Sequence, residues 1–218
     1  MTTSFASPEV NLVTAVRAHF GLSVRQLASY LNVSAGFISH LETGRKGLPA
    51  SLMPRLQGLS RLLPPPLGQG PPALPELPES AIYDTLALLP APDPLLQATE
   101  LPTAAAPASE PLRQRLRDAR QQLLQHGERL AQLQNRAATL ACRRRGLAQL
   151  QMAPFPTEPA ETARYARWLG ELATDLARDE PDPAATAAAR LLLAARVAGL
   201  RAEVTLLAAT TGSSAAGV

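Results

Sequence analysis

The sequence predicts an all-α protein, and three observations carry that prediction. Apolar content is supplied mainly by Leu and Ala, with aromatic residues only 4% of the chain, a bias that favours helix and gives little support to strands. Apolar side chains recur at three- and four-residue spacing in the proline-poor stretches, which is the period of a helix with one buried face. Ser, Asn, Pro and Gly stand where those periodic stretches begin and end, as helix capping requires.

Taken in order, Ser7-Pro8-Glu9 supplies an N-cap, a proline at the first helical position and an acid near the positive end of the helix dipole. Leu12, Val13, Val16 and Phe20 then form the inward face of a first helix, and Gly21 stops it. Ser23, with Gln26 three residues on, is a capping box that starts a second helix. Val24, Leu27, Ala28 and Leu31 make its apolar face, and Arg25, Gln26 and Ser29 its polar one. Asn32 tolerates the left-handed conformation that ends a helix and turns the chain sharply. Ser34 caps a third helix, in which Ile38 and Leu41 point inward, and Gly44 ends it with Arg45 and Lys46 beyond. Two helices joined by about four residues, the second short and polar outside, form a helix-turn-helix arrangement. After a loop at Gly47-Leu48-Pro49, a fourth helix from Ser51 tolerates Pro54 in its first turn, and Leu52, Leu56, Leu59 and Leu63 close a small core.

Phe20-Gly21-Leu22-Ser23, Gln26-Leu27-Ala28, Val33-Ser34, Ile38-Ser39 and Leu41-Glu42-Thr43-Gly44-Arg45-Lys46 together resemble the Cro/C1-type (XRE) helix-turn-helix family, from Val10 to Leu63. The resemblance implies a lambda-repressor-like domain of five helices that binds double-stranded operator DNA as a dimer. It also implies a structural ion pair between Arg17 and Glu42. Ala35, Gly36, Phe37, Ser39, His40 and Thr43 then occupy the positions facing the major groove, while Ser23, Arg25, Ser34, Arg45 and Lys46 are placed for phosphate oxygens. One departure is Val24, where the family commonly has a glutamine that contacts a phosphate. The base-reading chemistry is thin. Ala35 and Gly36 cannot make the bidentate contacts that Gln, Asn or Arg make to purines. His40 can donate to a guanine or a phosphate, Ser39 and Thr43 can bond several base edges, and Phe37 can touch a thymine methyl. Much of the selectivity is therefore expected from DNA shape and dimer spacing.

The formal charge of +3 is unevenly distributed. Residues 1 to 63 carry six basic and two acidic side chains, the sign needed to approach phosphates; residues 64 to 110 carry six acids and no base. Between Pro64 and Pro111 there are thirteen prolines in 48 residues, so this stretch reads as a stiff acidic linker that cannot bury enough surface to fold alone. Within it Ser80 to Leu89 can make a short helix with Ile82, Leu86 and Leu89 on one side. Ser109-Glu110-Pro111 restarts helix. At positions 112, 116, 119, 123, 126, 130, 133, 137, 140, 144, 147 and 151, nine of twelve residues are apolar, a sustained heptad seam. Met152 to Pro159 breaks that helix, Thr157 caps the next, and Tyr165, Leu169, Leu172 and Leu176 stripe it beside Trp168. Asp182-Pro183 opens a last helix with Leu193, Val197, Leu200, Val204 and Leu207 on one face, and the chain is expected to fray from Ser213.

The expected organisation is a DNA-binding domain over 1–63, a proline-rich linker over 64–110, a coiled coil or antiparallel helical bundle over 111–210 and a disordered tail over 211–218. The seam at 112–151 pairs either with the chain's own later helices or with a second copy, which makes a homodimer. Cys142 is the only cysteine, so no internal disulfide forms, which fits a reducing cytoplasm. No signal peptide or membrane-spanning run is read, because Arg190, Arg196 and Arg201 interrupt the Ala- and Leu-rich tail. His19 and His126 lack ligand partners at metal-binding spacing, so neither a metal nor a cofactor is expected. No catalytic motif appears, and the only lysine, Lys46, lies in the N-terminal segment, which excludes a serine-lysine self-cleaving domain after the linker. The function expected is a transcriptional regulator that binds DNA; the alternative is a helical adaptor whose coiled coil binds another protein.

Overall fold

The computed structural model describes residues 11–72, 82–93, 109–154, 156 and 158–213, and every regular element among them is helical. Seven α-helices are described: α1 Leu12–Phe20, α2 Val24–Leu31, α3 Ala35–Glu42, α4 Met53–Ser60, α5 Ser109–Met152, α6 Pro159–Asp179 and α7 Pro183–Ser213. A 3₁₀ turn, Ala50–Leu52, leads into α4. By packing, the described residues group into two units: those within Met1–Glu76 and Ala137–Pro181, and those within Leu77–Arg136 and Asp182–Val218. Composition sets its boundaries at 63 and 110, whereas packing joins Ala137–Pro181 to the N-terminal helices.

In the first unit, the helix ends follow local chemistry. Ser7-Pro8-Glu9 lies outside the described residues; α1 is capped by Asn11, whose Oδ1 accepts from the Val13 amide and whose Nδ2 donates to the Leu41 carbonyl. Gly21 ends α1 at φ 64°. The Ser23–Gln26 capping box is formed in both directions, at 3.2 and 2.9 Å. Asn32 is left-handed at φ 56°, and Ser34 Oγ accepts from Phe37 N at 3.1 Å to start α3. Val13, Val16, Phe20, Leu27, Leu31, Ile38, Leu41, Leu56, Leu59 and Leu63 are buried together. Residues 61–72 hold turns and no fifth helix: Gly68 and Gly70 lie so close to the carbonyls of residues 60–63 that a Cβ would come within 2.1 and 2.0 Å of them.

This core is completed by residues from far along the chain. Leu150 from the end of α5 and Tyr165, Trp168, Leu169 and Leu172 from α6 are buried in the same cluster. Trp168 Nε1 donates to the Gln26 carbonyl at 2.9 Å, and its ring lies 4.5 Å from that of Tyr30. Tyr165 donates to the Leu150 carbonyl at 2.9 Å; burial pushes its hydroxyl up to about 12, with nearby Tyr30 adding to the rise. At the other edge Gly146 meets the end of α1 with no room for a side chain, since a Cβ there would stand 2.3 Å from Phe20 O. The run Arg143-Arg144-Arg145 is partly neutralised here, with Arg143 paired to Asp179 and Arg144 to Glu180. The apolar stripe of α6 therefore packs on the N-terminal helices.

In the second unit, the first part of α5 packs beside α7 through Leu116, Ala119 and Val204, with Leu123 and Leu207 partly buried around them. Arg115 pairs with Glu203 at 2.5 Å alongside. Every seam position from 112 to 133 is buried or half-buried within the single chain, whereas further on Arg144 and Gln151 are exposed and Gly146 and Leu150 turn inward. The short helix that Ser80 to Leu89 can make is not formed in its described part: residues 82–89 make a turn in which Asp84 Oδ1 accepts from Leu86 N at 2.8 Å, with residues 80 and 81 outside the described set. An isolated ten-residue helix is marginal in water, and an Asp side chain bonding two residues ahead favours the turn. Tyr83 N donates to Gln134 Oε1 at 2.7 Å, and the Tyr83 ring fills the space over Gly127. The start of α7 is capped by Asp182, which accepts from Ala185 N at 2.8 Å, and the helix continues to Ser213, through the first part of the expected tail. Thr157 and residues 214–218 lie outside the described residues.

Candidate nucleic-acid interface

The surface formed by α3 and its flanks is built on a rigid base. Ile38 is fully buried and Leu41 nearly so, which fixes the rotation of α3 and turns Gly36, Ser39 and Thr43 outward. Arg17 Nε and Glu42 Oε1 pair at 2.6 Å, tying α1 to the end of α3. Both side chains are committed to that pair.

The outward residues are not equivalent. Ser34, Gly36, Ser39, Thr43, Arg45 and Lys46 are exposed, as are Ser23 and Arg25 at the start of α2. Ala35, Phe37 and His40 are half-buried, and Ala35 and Phe37 pack on the core. Lys46 Nζ lies 5.4 Å from the centre of the Phe37 ring, a cation–π distance. Thr43 donates back to the Ser39 carbonyl at 3.0 Å, so its proton is used within α3. Ser23 and Ser34 each accept a backbone amide at a helix start, which leaves each hydroxyl proton available to donate outward.

The surroundings of α2 add acids. Gln26 Nε2 donates to Asp175 at 2.8 Å and Ser29 Oγ to Glu171 at 3.4 Å, so α6 lines the outer side of α2 with carboxylates. A cleft of about 540 Å³ beside the start of α2 is lined by Arg17, Ser23, Gln26, Arg143, Asp175 and Asp179. Its charges are mixed. At the far end of α3, Arg45 and Lys46 are exposed, and among the described residues no carboxylate pairs with either side chain.

A second cavity of about 800 Å³ lies between α4 and the 153–165 segment, with Leu52, Pro54, Leu59 and Pro154 on its walls. Arg55 bridges its rim to Glu161 at 2.8 Å, and that hydrogen bond holds the Glu161 carboxyl below the usual carboxylate range. His19 bonds to Gln149 at 2.8 Å, and Cys142 Sγ lies 3.5 Å from the Ala18 carbonyl, so both serve the contact between α1 and α5. Among the described residues no group of three or more His, Cys, Asp or Glu side chains is arranged to hold a metal ion, and no helix is long and apolar enough to cross a membrane.

Sequence reasoning missed the residues that hold this surface in place from outside it. A helix starting at Ser7 would enclose Asn11, whereas Asn11 is itself the cap of α1, Asn capping as well as Ser does. Trp168 and Gly146 carried no signal of where their partners lie. Comparison with protein families, curated proteins and solved structures found no match.

Proposed function

We propose that the chain is a DNA-binding regulator that lays the start of α3 in the major groove of a duplex. The observation that carries this reading is selective exposure. The end of α5 and α6 cover α1 and α2 from the side, yet the outward face of α3 with Arg45 and Lys46 stays open. The resemblance of residues 10–63 to the Cro/C1-type helix-turn-helix supports the same assignment.

Within this reading the roles divide by chemistry. Arg45 and Lys46 engage phosphates by charge, and the hydroxyls of Ser23 and Ser34 donate to phosphate oxygens at helix starts, where the dipole also favours an anion. Arg25 adds a third cation to the phosphate set. Gly36, Ser39 and His40 approach base edges, and Phe37 and Ala35 mainly hold the helix on its core. With no Arg, Asn or Gln on α3 to make a bidentate purine contact, discrimination rests on groove shape and on the spacing of two heads. The carboxylates that α6 brings to α2 oppose phosphate approach there, which shifts the electrostatic contribution to the far end of α3.

Arg45→Ala with Lys46→Ala tests the assignment, because both side chains are exposed and their loss leaves the core intact. The slope of log affinity against log salt should become shallower by about 1.8, from about 0.9 for each phosphate contact removed. Equal affinities for the two proteins at every salt concentration would overturn it. One observation favours a protein partner as well: Leu191 and Leu192 of α7 are 68% and 74% exposed.

A further inference from the structure

The last helix is apolar on the side it buries and also on the side it exposes. Val197, Leu200 and Val204 face inward in the second unit. Opposite them, Ala188, Leu191, Leu192, Ala195, Ala198, Gly199 and Ala202 are all exposed. At about 100° per residue these seven positions fall within a stripe about 120° wide, centred on the side away from the buried face. It holds no charged side chain; Arg196 stands at its margin, in a chain 18% charged. A helix that is apolar all round is ordinarily buried all round, and α7 is not a membrane span.

We propose that this stripe is the contact through which two copies of the chain pair, α7 against α7, antiparallel about a two-fold axis at Ala195. Self-complementarity selects a second copy as the occupant. In an antiparallel pair centred on Ala195, Leu191 of one copy faces Gly199 of the other, Leu192 faces Ala198, and Ala188 faces Ala202. Large meets small at both leucines, and the two-fold repeats each pairing, which is the requirement for an isologous interface. Arg190 lies on the side away from the stripe, and the two copies of Arg196, at its margin beside the axis, are exposed and can extend into water. Gly199 has open space where a Cβ would stand, with nothing within 4 Å, which is room for a knob from outside. The heptad seam at 112–133 is covered within one chain, so α7 offers the surface that the seam does not. From Ala188 to Ala202 the stripe is only about 21 Å long, below the extent of a standard interface of about 800 Å² per partner. The pairing is therefore weak and reversible. It is measured without DNA and stands or falls independently of the DNA-binding reading.

Sedimentation of the full chain from about 5 to 200 µM, a range that brackets micromolar dissociation, should show mass rising from 23.1 kDa toward twice that value. Ala195→Glu sets two carboxylates against each other on the axis and should hold the protein monomeric with unchanged far-ultraviolet circular dichroism. Gly199→Leu fills the hole opposite Leu191 without meeting its own chain and should weaken pairing by at least about tenfold. Adding Leu191→Ala to it restores the large-against-small match and should recover the dimer. A wild-type protein that stays monomeric throughout overturns the proposal. So does a dimer indifferent to both Ala195→Glu and Gly199→Leu, or a swap that fails to recover pairing; if Ala195→Glu misfolds, the Gly199 variants decide.

Discussion

Replacing Gly146 by alanine adds one methyl group at the point where α5 crosses the end of α1. That Cβ would stand 2.3 Å from Phe20 O, 2.6 Å from Phe20 Cα and 2.7 Å from Phe20 C. All three are backbone atoms, and Phe20 is itself 1% exposed, so no side chain can swing aside. The helices must separate, loosening the burial of Leu150 and the packing of Leu147 on the same core. Overpacking of this kind costs about 1–3 kcal/mol, and contact with backbone places it at the upper end. The gain in helix propensity from Gly to Ala returns about 1 kcal/mol, leaving a net loss of about 1–2 kcal/mol. Gly170→Ala is the matched control: Gly170 lies inside α6, is exposed, and its Cβ would meet nothing within 4 Å. The same propensity term acts there unopposed and should stabilise by about 0.5–1 kcal/mol. Urea unfolding followed by circular dichroism measures both. Opposite signs are predicted. A Gly146→Ala protein as stable as the wild type, or more so, would refute the close approach of α5 to α1.

Two further perturbations probe the aromatic contact between α2 and α6. Trp168→Ala removes a 2% exposed ring that packs on Tyr30 and bonds to the Gln26 carbonyl, and should cost about 3–5 kcal/mol in urea unfolding. Circular dichroism is the probe because this is the only tryptophan, and a loss under about 1 kcal/mol would contradict the contact. Tyr165, raised to about 12, keeps its proton in the folded protein above pH ~10, where an unfolded tyrosine releases it. Stability should therefore fall as pH rises from about 10 to 12, by at most about 3 kcal/mol from this group. Tyr165→Phe should flatten that fall, and an unchanged pH profile would show that the hydroxyl is not sequestered.

Local chemistry was well written in the sequence. The Ser23–Gln26 box, the left-handed Asn32 and the Ser34 cap each depend on residues within four positions of one another, and the structure forms them all. The apolar stripe through Tyr165, Leu169 and Leu172 was equally legible as a stripe. Its partner was not, because periodicity identifies which face is buried and carries nothing about what covers it. Asn11 against Ser7 shows the same limit at a helix start. Both residue types cap well, and the bond from Asn11 to the Leu41 carbonyl is tertiary. Gly146 and Gly127 sit in helix interiors, where glycine reads as a weak point until the neighbouring Phe20 backbone and Tyr83 ring are in view. The stretch 82–89 failed as a helix for a local reason that was available, the competing Asp84 turn. Of the residues that the resemblance places outward on α3, Gly36, Ser39 and Thr43 are exposed, but the half-burial of Phe37 and the internal bond of Thr43 needed three dimensions.

The proposed role of that face is tested most directly by offering the purified full chain a pool of random-sequence duplex DNA at low salt and sequencing what is retained. Retention with enrichment of a recurring short motif, lost together with Arg45→Ala and Lys46→Ala, is the predicted result. No retention of any duplex by the wild-type protein, at a salt concentration where phosphate contacts are at their strongest, would contradict it.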